Sequence, residues 1–159
     1  LTIKYFQSDS PATIHDFAWW SGLTIAEVKR GIEMAESSIQ QVEISKQTYW
    51  TVKNVDDSLP KSSGVYLLPA FDEYLVGFKD RSAVLDPEYN KEIYGAGNGI
   101  FNPVIIINGK VGGTWKRMIK PKSVRVETKR FLPLSATQER AVKTAVKQFG
   151  KFLELPLID

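Results

Sequence analysis

Cysteine is absent from the chain, which removes disulfides, thiolate catalysis and cysteine-ligated zinc together. His15 is the sole histidine, so a serine–histidine triad has no support and a histidine-rich metal site is impossible. No run approaches the ~20 apolar residues that span a bilayer, and no signal-peptide pattern opens the sequence. A membrane partner is therefore not expected, and a cytoplasmic location is. No cofactor fingerprint is present, so the expectation is no cofactor, no metal and no catalytic residue in this chain. What remains, 159 residues with 43% hydrophobic and 25% charged side chains, is an ordinary globular composition. It suffices for one full core, or for a small module leaning on a larger one.

The net charge of +3 hides an asymmetry. Residues 103–130 hold Lys110, Lys116, Arg117, Lys120, Lys122, Arg125, Lys129 and Arg130 against Glu127 alone, a local +7, while the rest of the chain carries 13 basic and 17 acidic residues. A phosphate-binding surface requires such a concentration, because each neutralised phosphate releases condensed counterions. A solvated meander with basic outward faces is the plain alternative. Lys116, Arg117, Lys120, Lys122 and Arg125 are the candidates for backbone contact. Strand alternation puts Lys116 and Arg117 on opposite faces, so at most one of them joins the outward row of Arg125.

Residues 1–53 read as three helices and a two-stranded ribbon. Leu1-Thr2-Ile3-Lys4-Tyr5-Phe6 lacks an initial methionine and starts inside an apolar pattern, with Leu1, Tyr5 and Phe6 on one helical face. This reads as a cut within a helix, and the chain as a piece of a longer protein. After the break at Ser10-Pro11, Thr13 with Asp16 and Thr24 with Glu27 form capping boxes, in which hydroxyl and carboxylate satisfy the free N–H groups of a first turn. They predict a helix over 14–20 with Ile14, Phe17 and Ala18 inward, ended by Gly22. A third helix runs from 25 to about 35 with Ile25, Val28, Ile32 and Ala35 inward. Two helices so closely joined make a helix-turn-helix. Alternation over 41–44 and 49–52, about a turn near Lys46-Gln47, supplies the ribbon. The linker is expected at 54–64, which holds two aspartates, three serines and Pro60.

Beyond the linker, Val65–Leu68 predicts a buried strand, 74–78 a second strand or a turn of helix, and Asp86-Pro87-Glu88 the start of a short helix ending near Tyr94. The glycine-rich stretch 95–99 is an irregular loop lacking the lysine and strand–loop–helix setting of a phosphate loop, with Asn98 as a candidate donor to nucleic acid. Asn108-Gly109 between two strand-like runs is a hairpin signal, and after Pro121 a third strand over 124–128 completes an antiparallel meander. Ser135 with Gln138 caps a last helix. Val142, Ala145, Val146, Phe149, Phe152 and Leu153 face inward on it, and Lys143, Lys147 and Lys151 line a solvated face. The expected fold is α+β: a winged helix-turn-helix over 1–57 with its first helix truncated, then over 58–159 a small antiparallel β-barrel-like domain with a C-terminal amphipathic helix.

Lys29 and Arg30 face outward on the third helix, where a winged helix reads DNA. Glu27, Glu33 and Glu36 surround them, and residues 1–57 carry five basic against eight acidic groups; the module reads rather as a brace, with Trp19 and Trp20 packed against a core or a neighbouring module. Asp72, Glu73, Asp80 and Arg81 are the densest charged cluster outside the basic run. A carboxylate pair there suits acid/base work, whereas Arg81 pairing with Asp72 or Asp80 would pin a loop; Arg81 also counts among the nucleic-acid candidates. Trp115 is either a stacking surface for an unpaired base or core. His15 is expected on the surface.

Four stretches carry a family resemblance. Pro11-Ala12-Thr13-Ile14-His15-Asp16-Phe17-Ala18-Trp19-Trp20-Ser21-Gly22-Leu23 is the first, and Leu67-Leu68-Pro69-Ala70-Phe71-Asp72-Glu73-Tyr74-Leu75 with Gly77 and Lys79-Asp80-Arg81-Ser82 the second. Gly97-Asn98-Gly99-Ile100-Phe101 with Pro103, and Gly113-Thr114-Trp115 with Arg117, are the third and fourth. In this order they resemble the bacterial winged-helix DNA-binding proteins that include the AlkZ-type DNA glycosylases. The resemblance implies tandem winged helices in a C shape followed by a β-rich barrel-like domain, of which this chain holds the last winged helix and the barrel. It implies excision of alkylated bases or unhooking of interstrand crosslinks by a short glutamine-containing motif in an N-terminal half absent here; Gln40-Gln41 lies in the ribbon and is not that motif. Asn102 departs from the pattern, standing where a basic residue is expected. Two readings stay open. One is a DNA-binding fragment of a glycosylase-like repair protein, partnered by double-stranded DNA, damaged or intact, and by that N-terminal half. The other is a non-catalytic winged-helix module for transcriptional regulation or protein–protein contact.

Overall fold

The computed structural model describes residues 1–54, 64–94 and 101–158. The chain divides into two compact units, Leu1–Pro60 with Glu73–Arg81, and Lys61–Asp72 with Ser82–Asp159. Three helices start by the same local exchange. Thr13 Oγ1 accepts from Asp16 N at 3.1 Å while the Asp16 carboxylate accepts from Thr13 N at 2.9 Å. Thr24 with Glu27 and Ser135 with Gln138 repeat the arrangement. At Glu27 the bonds from Thr24 hold the carboxyl below its ordinary range. That contribution is therefore present at neutral pH and is lost as the pH falls through the lowered value.

The first unit contains α1 (Thr2–Ser8), α2 (Ile14–Ser21), α3 (Ile25–Met34), the hairpin β1 (Ile39–Ile44) and β2 (Gln47–Val52), and the single turn α4 (Glu73–Val76). Its core is Tyr5, Phe6, Phe17, Val28, Ile32 and Ile39, with Tyr5 stacked on Phe17 at 4.6 Å between ring centres. Burial raises the Tyr5 phenol above its ordinary range, and the charges of Asp16, Asp9 and Glu73 act in the same direction. Gly22, at φ 72°, ends α2 in the left-handed conformation that only a glycine adopts without strain. The hairpin turn sits at Ser45-Lys46, one residue before the expected position; both have positive φ, as a primed two-residue turn demands. Leu1 is exposed, unlike Tyr5 and Phe6, because α1 begins only at Thr2. The stretch after β2 that begins again at 73 forms helix, not strand, and Phe78 returns to this core.

The second unit is built on a five-stranded sheet of order β3-β4-β5-β6-β7: β3 (Val65–Leu68), β4 (Val104–Ile107), β5 (Lys110–Lys120), β6 (Ser123–Arg130) and β7 (Leu157–Ile158). All neighbours are antiparallel except β7, which runs parallel to β6 and has no counterpart in the sequence-based expectation. Asn108 and Gly109, at φ 52° and 80°, make the predicted primed turn between β4 and β5. A 3-10 turn (Pro87–Tyr89) capped by Asp86 leads into α5 (Asn90–Tyr94). Helix α6 (Ala136–Phe152) covers one sheet face, closing a core of Ile105, Ile107, Trp115 and Val142 with Leu67, Val126 and Phe149 against it. β3 is only partly buried, with Tyr66 exposed. Phe152, expected inward, is 80% exposed. The chain folds back over Gly150 instead, where Leu155 N donates to the Gly150 carbonyl and Leu157 packs against the backbone, so the inward position past Phe149 is already occupied.

Ser135→Ala is expected to destabilise the protein by about 1 kcal/mol, the usual value of a side-chain cap, seen as a lower urea midpoint at unchanged slope. An unchanged midpoint would mean that the Gln138 side chain alone holds the helix start. Among the described residues no helix is long and apolar enough to cross a membrane.

Candidate nucleic-acid interface

The basic run folds largely into one hairpin, β5 with β6, whose β5 strand outruns β4. Strand β4 reaches only to Thr114 of β5, and the Trp115 N–H donates to the Pro103 carbonyl just before that strand, so Lys116–Lys120 pairs with β6 alone. Pro121-Lys122 makes the turn between the two strands, and β7 lines the far edge of β6 at Val124 and Arg125. Every side chain from Lys116 to Lys122 is consequently exposed. Because Lys116 faces Glu127, Met118 faces Arg125 and Lys120 faces Ser123, these residues share one face of the hairpin. Lys129, opposite Thr114, belongs to the same face. Arg117 is on the other side, in register with Val126, and its guanidinium lies over the rings of Trp115 and Phe149 at 5.9 and 6.0 Å. Of the pair that alternation separates, it is Lys116 that joins Arg125.

Three cations of the run have acidic partners: Arg125 with Glu127 at 3.4 Å, Lys129 with Glu92 at 2.7 Å and Arg130 with Glu139 at 2.8 Å. Arg125 and Glu127 are both about half exposed, so that pair is worth little in water and leaves the guanidinium available. Lys110, Lys116, Arg117, Lys120 and Lys122 make no ion pair among the described residues. Beside these cations Met118 and Ile119 are 54% and 53% exposed, an apolar pair at the hairpin end that strand alternation alone does not reveal.

The other candidates lie elsewhere. Lys29 and Arg30 are exposed on α3, and Lys29 lines an open groove of about 520 Å³ with His15, Ile32, Glu33, Gln47, Thr48 and Trp50, all within the first unit. His15 is exposed, as expected. Arg81 donates through Nε to the Leu75 carbonyl and through Nη1 to that of Lys79 at 3.5 Å, which directs its guanidinium to backbone of its own unit. Asn98 and the loop 95–99 lie outside the described residues, as does the linker apart from Asn54 and Gly64. The carboxylate cluster is divided in its roles: Glu73 opens α4, and the backbone N–H of Asp80 donates to Asp16 at 3.2 Å. Trp115 is 2% exposed and donates to the Leu68 carbonyl at 2.8 Å, which makes it core. Trp19 donates to the Val76 carbonyl at 3.0 Å and Trp20 packs on Tyr5 at 5.2 Å, both remaining largely exposed. Asn102, where a basic residue was expected, latches α5 through bonds to the carbonyls of Ile93 and Glu92. Among the described residues no group of three or more acidic or histidine side chains is placed to hold a metal ion.

Three comparisons bear on this arrangement. A family profile described as "DNA glycosylase AlkZ-like" matches residues 1–152. An interstrand DNA cross-link repair glycosylase from Streptomyces sahachiroi is 26% identical over 151 residues, covering 89% of this chain and 40% of that protein. The solved structure of Streptomyces sahachiroi DNA glycosylase AlkZ shares the fold with a TM-score of 0.78 at 21% identity, over 97% of this chain and 43% of that one. The chain thus spans about two fifths of the length of these relatives, and matches the solved structure in a mixed α+β fold with a helix near its C-terminus.

Proposed function

Since the chain belongs to the AlkZ-like DNA glycosylase family, we propose that it is the DNA-binding portion of a glycosylase-like repair protein, holding duplex DNA through phosphate contacts from the β5–β6 hairpin. One observation carries this reading: Lys116, Lys120 and Arg125 share one exposed face of a strand pair whose β5 strand runs on beyond β4. Positively charged side chains in a row at strand spacing neutralise successive phosphates without reading bases, which gives affinity before specificity. Base excision, as the relative's name describes it for that protein, is assigned to residues outside this chain, and the remainder of a longer protein is its first partner. The helices α1 to α3 followed by the β1–β2 hairpin have the order of a winged helix. With more acidic than basic residues, that unit serves as a brace, and Lys29 and Arg30 add a secondary contact. The second unit, with its meander and final helix, is the barrel-like domain of such a protein. A role in DNA repair fits a cytoplasmic location.

The test is fluorescence anisotropy of the chain with a short duplex across a salt series. A Lys116→Ala, Lys120→Ala, Arg125→Ala variant is expected to flatten the slope of log K against log salt by about 0.9 for each lost phosphate contact, nearly three units in all. Arg117→Ala, on the other face, is expected to lower stability through lost packing on Trp115 and leave the slope unchanged. If the parent chain binds no duplex at low salt, the hairpin is a solvated face. A second reading, a regulatory or protein-docking module, is favoured by the acidic first unit; it requires preference for one sequence over another, or no DNA binding at all.

A further inference from the structure

The motif around Leu67-Leu68-Pro69-Ala70-Phe71 is not explained by the phosphate contacts, and Phe71 is its oddest residue. Its φ is 61°, the left-handed region that a bulky L side chain rarely enters. The same side chain is 56% exposed. Glycine or asparagine would relieve the backbone, and any polar residue would relieve the surface. Two disfavoured features at one position suggest that the aromatic ring is needed there.

Among the described residues one ring backs that of Phe71. Phe101 contacts it at 5.8 Å and is itself held edge-on by Tyr94 at 5.1 Å. Asn102, next in the chain, fixes Phe101 to α5 by its bonds to Ile93 and Glu92. The preceding strand is pinned by the indole of Trp115 on the Leu68 carbonyl, three residues before Phe71. Connectivity then settles which side of the sheet this cluster occupies. Lys129 shares the face of Lys116, Lys120 and Arg125, and it reaches Glu92 of α5 at 2.7 Å. A polar hollow of about 300 Å³, lined among others by Glu92, Asn102, Thr114, Lys116 and Lys129, lies between α5 and that face. The aromatic cluster and the cations therefore serve one side of the second unit.

We propose that Phe71 is a stacking platform for an unstacked nucleobase of the DNA whose backbone the cationic face holds, an inference that rests on the DNA reading above. A phenyl face accepts any base, because every base has a π-face, and so supplies a preference for unpaired or extruded bases without sequence readout. The cations fix the strand, and the ring, supported from behind by Phe101, takes the base that leaves the stack.

The experiment compares binding of the chain to a fully paired duplex and to the same duplex carrying one unpaired 2-aminopurine. The parent is expected to prefer the bulged duplex by about tenfold, in the range that one stacked base supplies, and to quench the 2-aminopurine emission on binding. Phe71→Ala is expected to lose both the preference and the quench at unchanged affinity for paired duplex, and Phe71→Tyr to keep them. Phe71→Gly is expected to lose them while melting no lower than the parent, because glycine relieves the left-handed backbone; this separates a lost contact from a lost fold. Equal binding of both duplexes by the parent, or a preference that survives in Phe71→Ala, overturns the stacking assignment and leaves the phosphate reading intact. Absence of any DNA binding by the parent overturns both.

Discussion

Asp16→Ala is expected to lower stability by roughly 3–4 kcal/mol, a large part of what a domain of ordinary stability possesses. The carboxylate is 2% exposed and accepts four bonds: from Thr13 N at 2.9 Å, Thr13 Oγ1 at 2.7 Å, Lys79 N at 2.9 Å and Asp80 N at 3.2 Å. Bonds to an ionised acceptor are each worth about 1.5–3 kcal/mol, but they act as one network and do not add. Removing the carboxylate strips half of the α2 capping box, and the N–H groups of Lys79 and Asp80 lose their acceptor. Asp16→Asn is expected to recover less than half of the loss, since its amide can present an oxygen to one side only and sets a donor against the other N–H groups. Urea unfolding followed by tryptophan emission measures both. A loss below about 1 kcal/mol for the alanine variant would show that water replaces the carboxylate and that the network is dispensable.

Gly113→Ala is expected to be nearly as damaging, at about 2–4 kcal/mol, for a steric reason. A Cβ at this position would meet the carbonyl oxygen of Lys129, with the Lys129 carbonyl carbon and Arg130 Cα both at 3.1 Å. These are backbone atoms of the paired strand β6 and cannot rotate aside. Gly112→Ala is the milder comparison: its near neighbours are side-chain atoms of Ile107, Cδ1 at 2.6 Å and Cγ1 at 3.0 Å, with no backbone of a paired strand among them. The expected loss there is about 1 kcal/mol or less above the ordinary cost of repacking. Thermal melts of the two variants decide the matter; equal shifts would place the constraint in strand propensity and not in close strand approach.

What could be read in the sequence was local. The three capping boxes, the Gly22 cap and the Asn108-Gly109 turn are each set by residues within four positions of one another, and each is found in the structure at its expected place. The opposite faces of Lys116 and Arg117 followed from strand alternation alone. The rest depends on partners distant in sequence. Asp16 was identifiable as a capping residue, but nothing near it announces that its other oxygen holds residues 79 and 80. Phe152 fits the helical stripe of α6, and only the return of Leu155 and Leu157 over Gly150 turns it outward. The two residues of β7 are too short for any periodicity to register. At the interface, the excess charge was plain, whereas the exposed Met118 and Ile119 and the left-handed Phe71 emerge only once strand pairing and backbone angles are known.

The bonds from Lys79 and Asp80 to Asp16 span 63 and 64 residues. A ribosome that adds roughly 5–20 residues per second presents Lys79 some 3–13 seconds after Asp16. Throughout that interval the nascent helix α2 has its local cap but only half of its final acceptor bonds, and the first strand of the second unit, Val65–Leu68, leaves the ribosome before the first unit can be finished. Synthesis of the second unit therefore begins before that of the first is finished. The earlier one waits, partly assembled, for a segment encoded after the later one has begun.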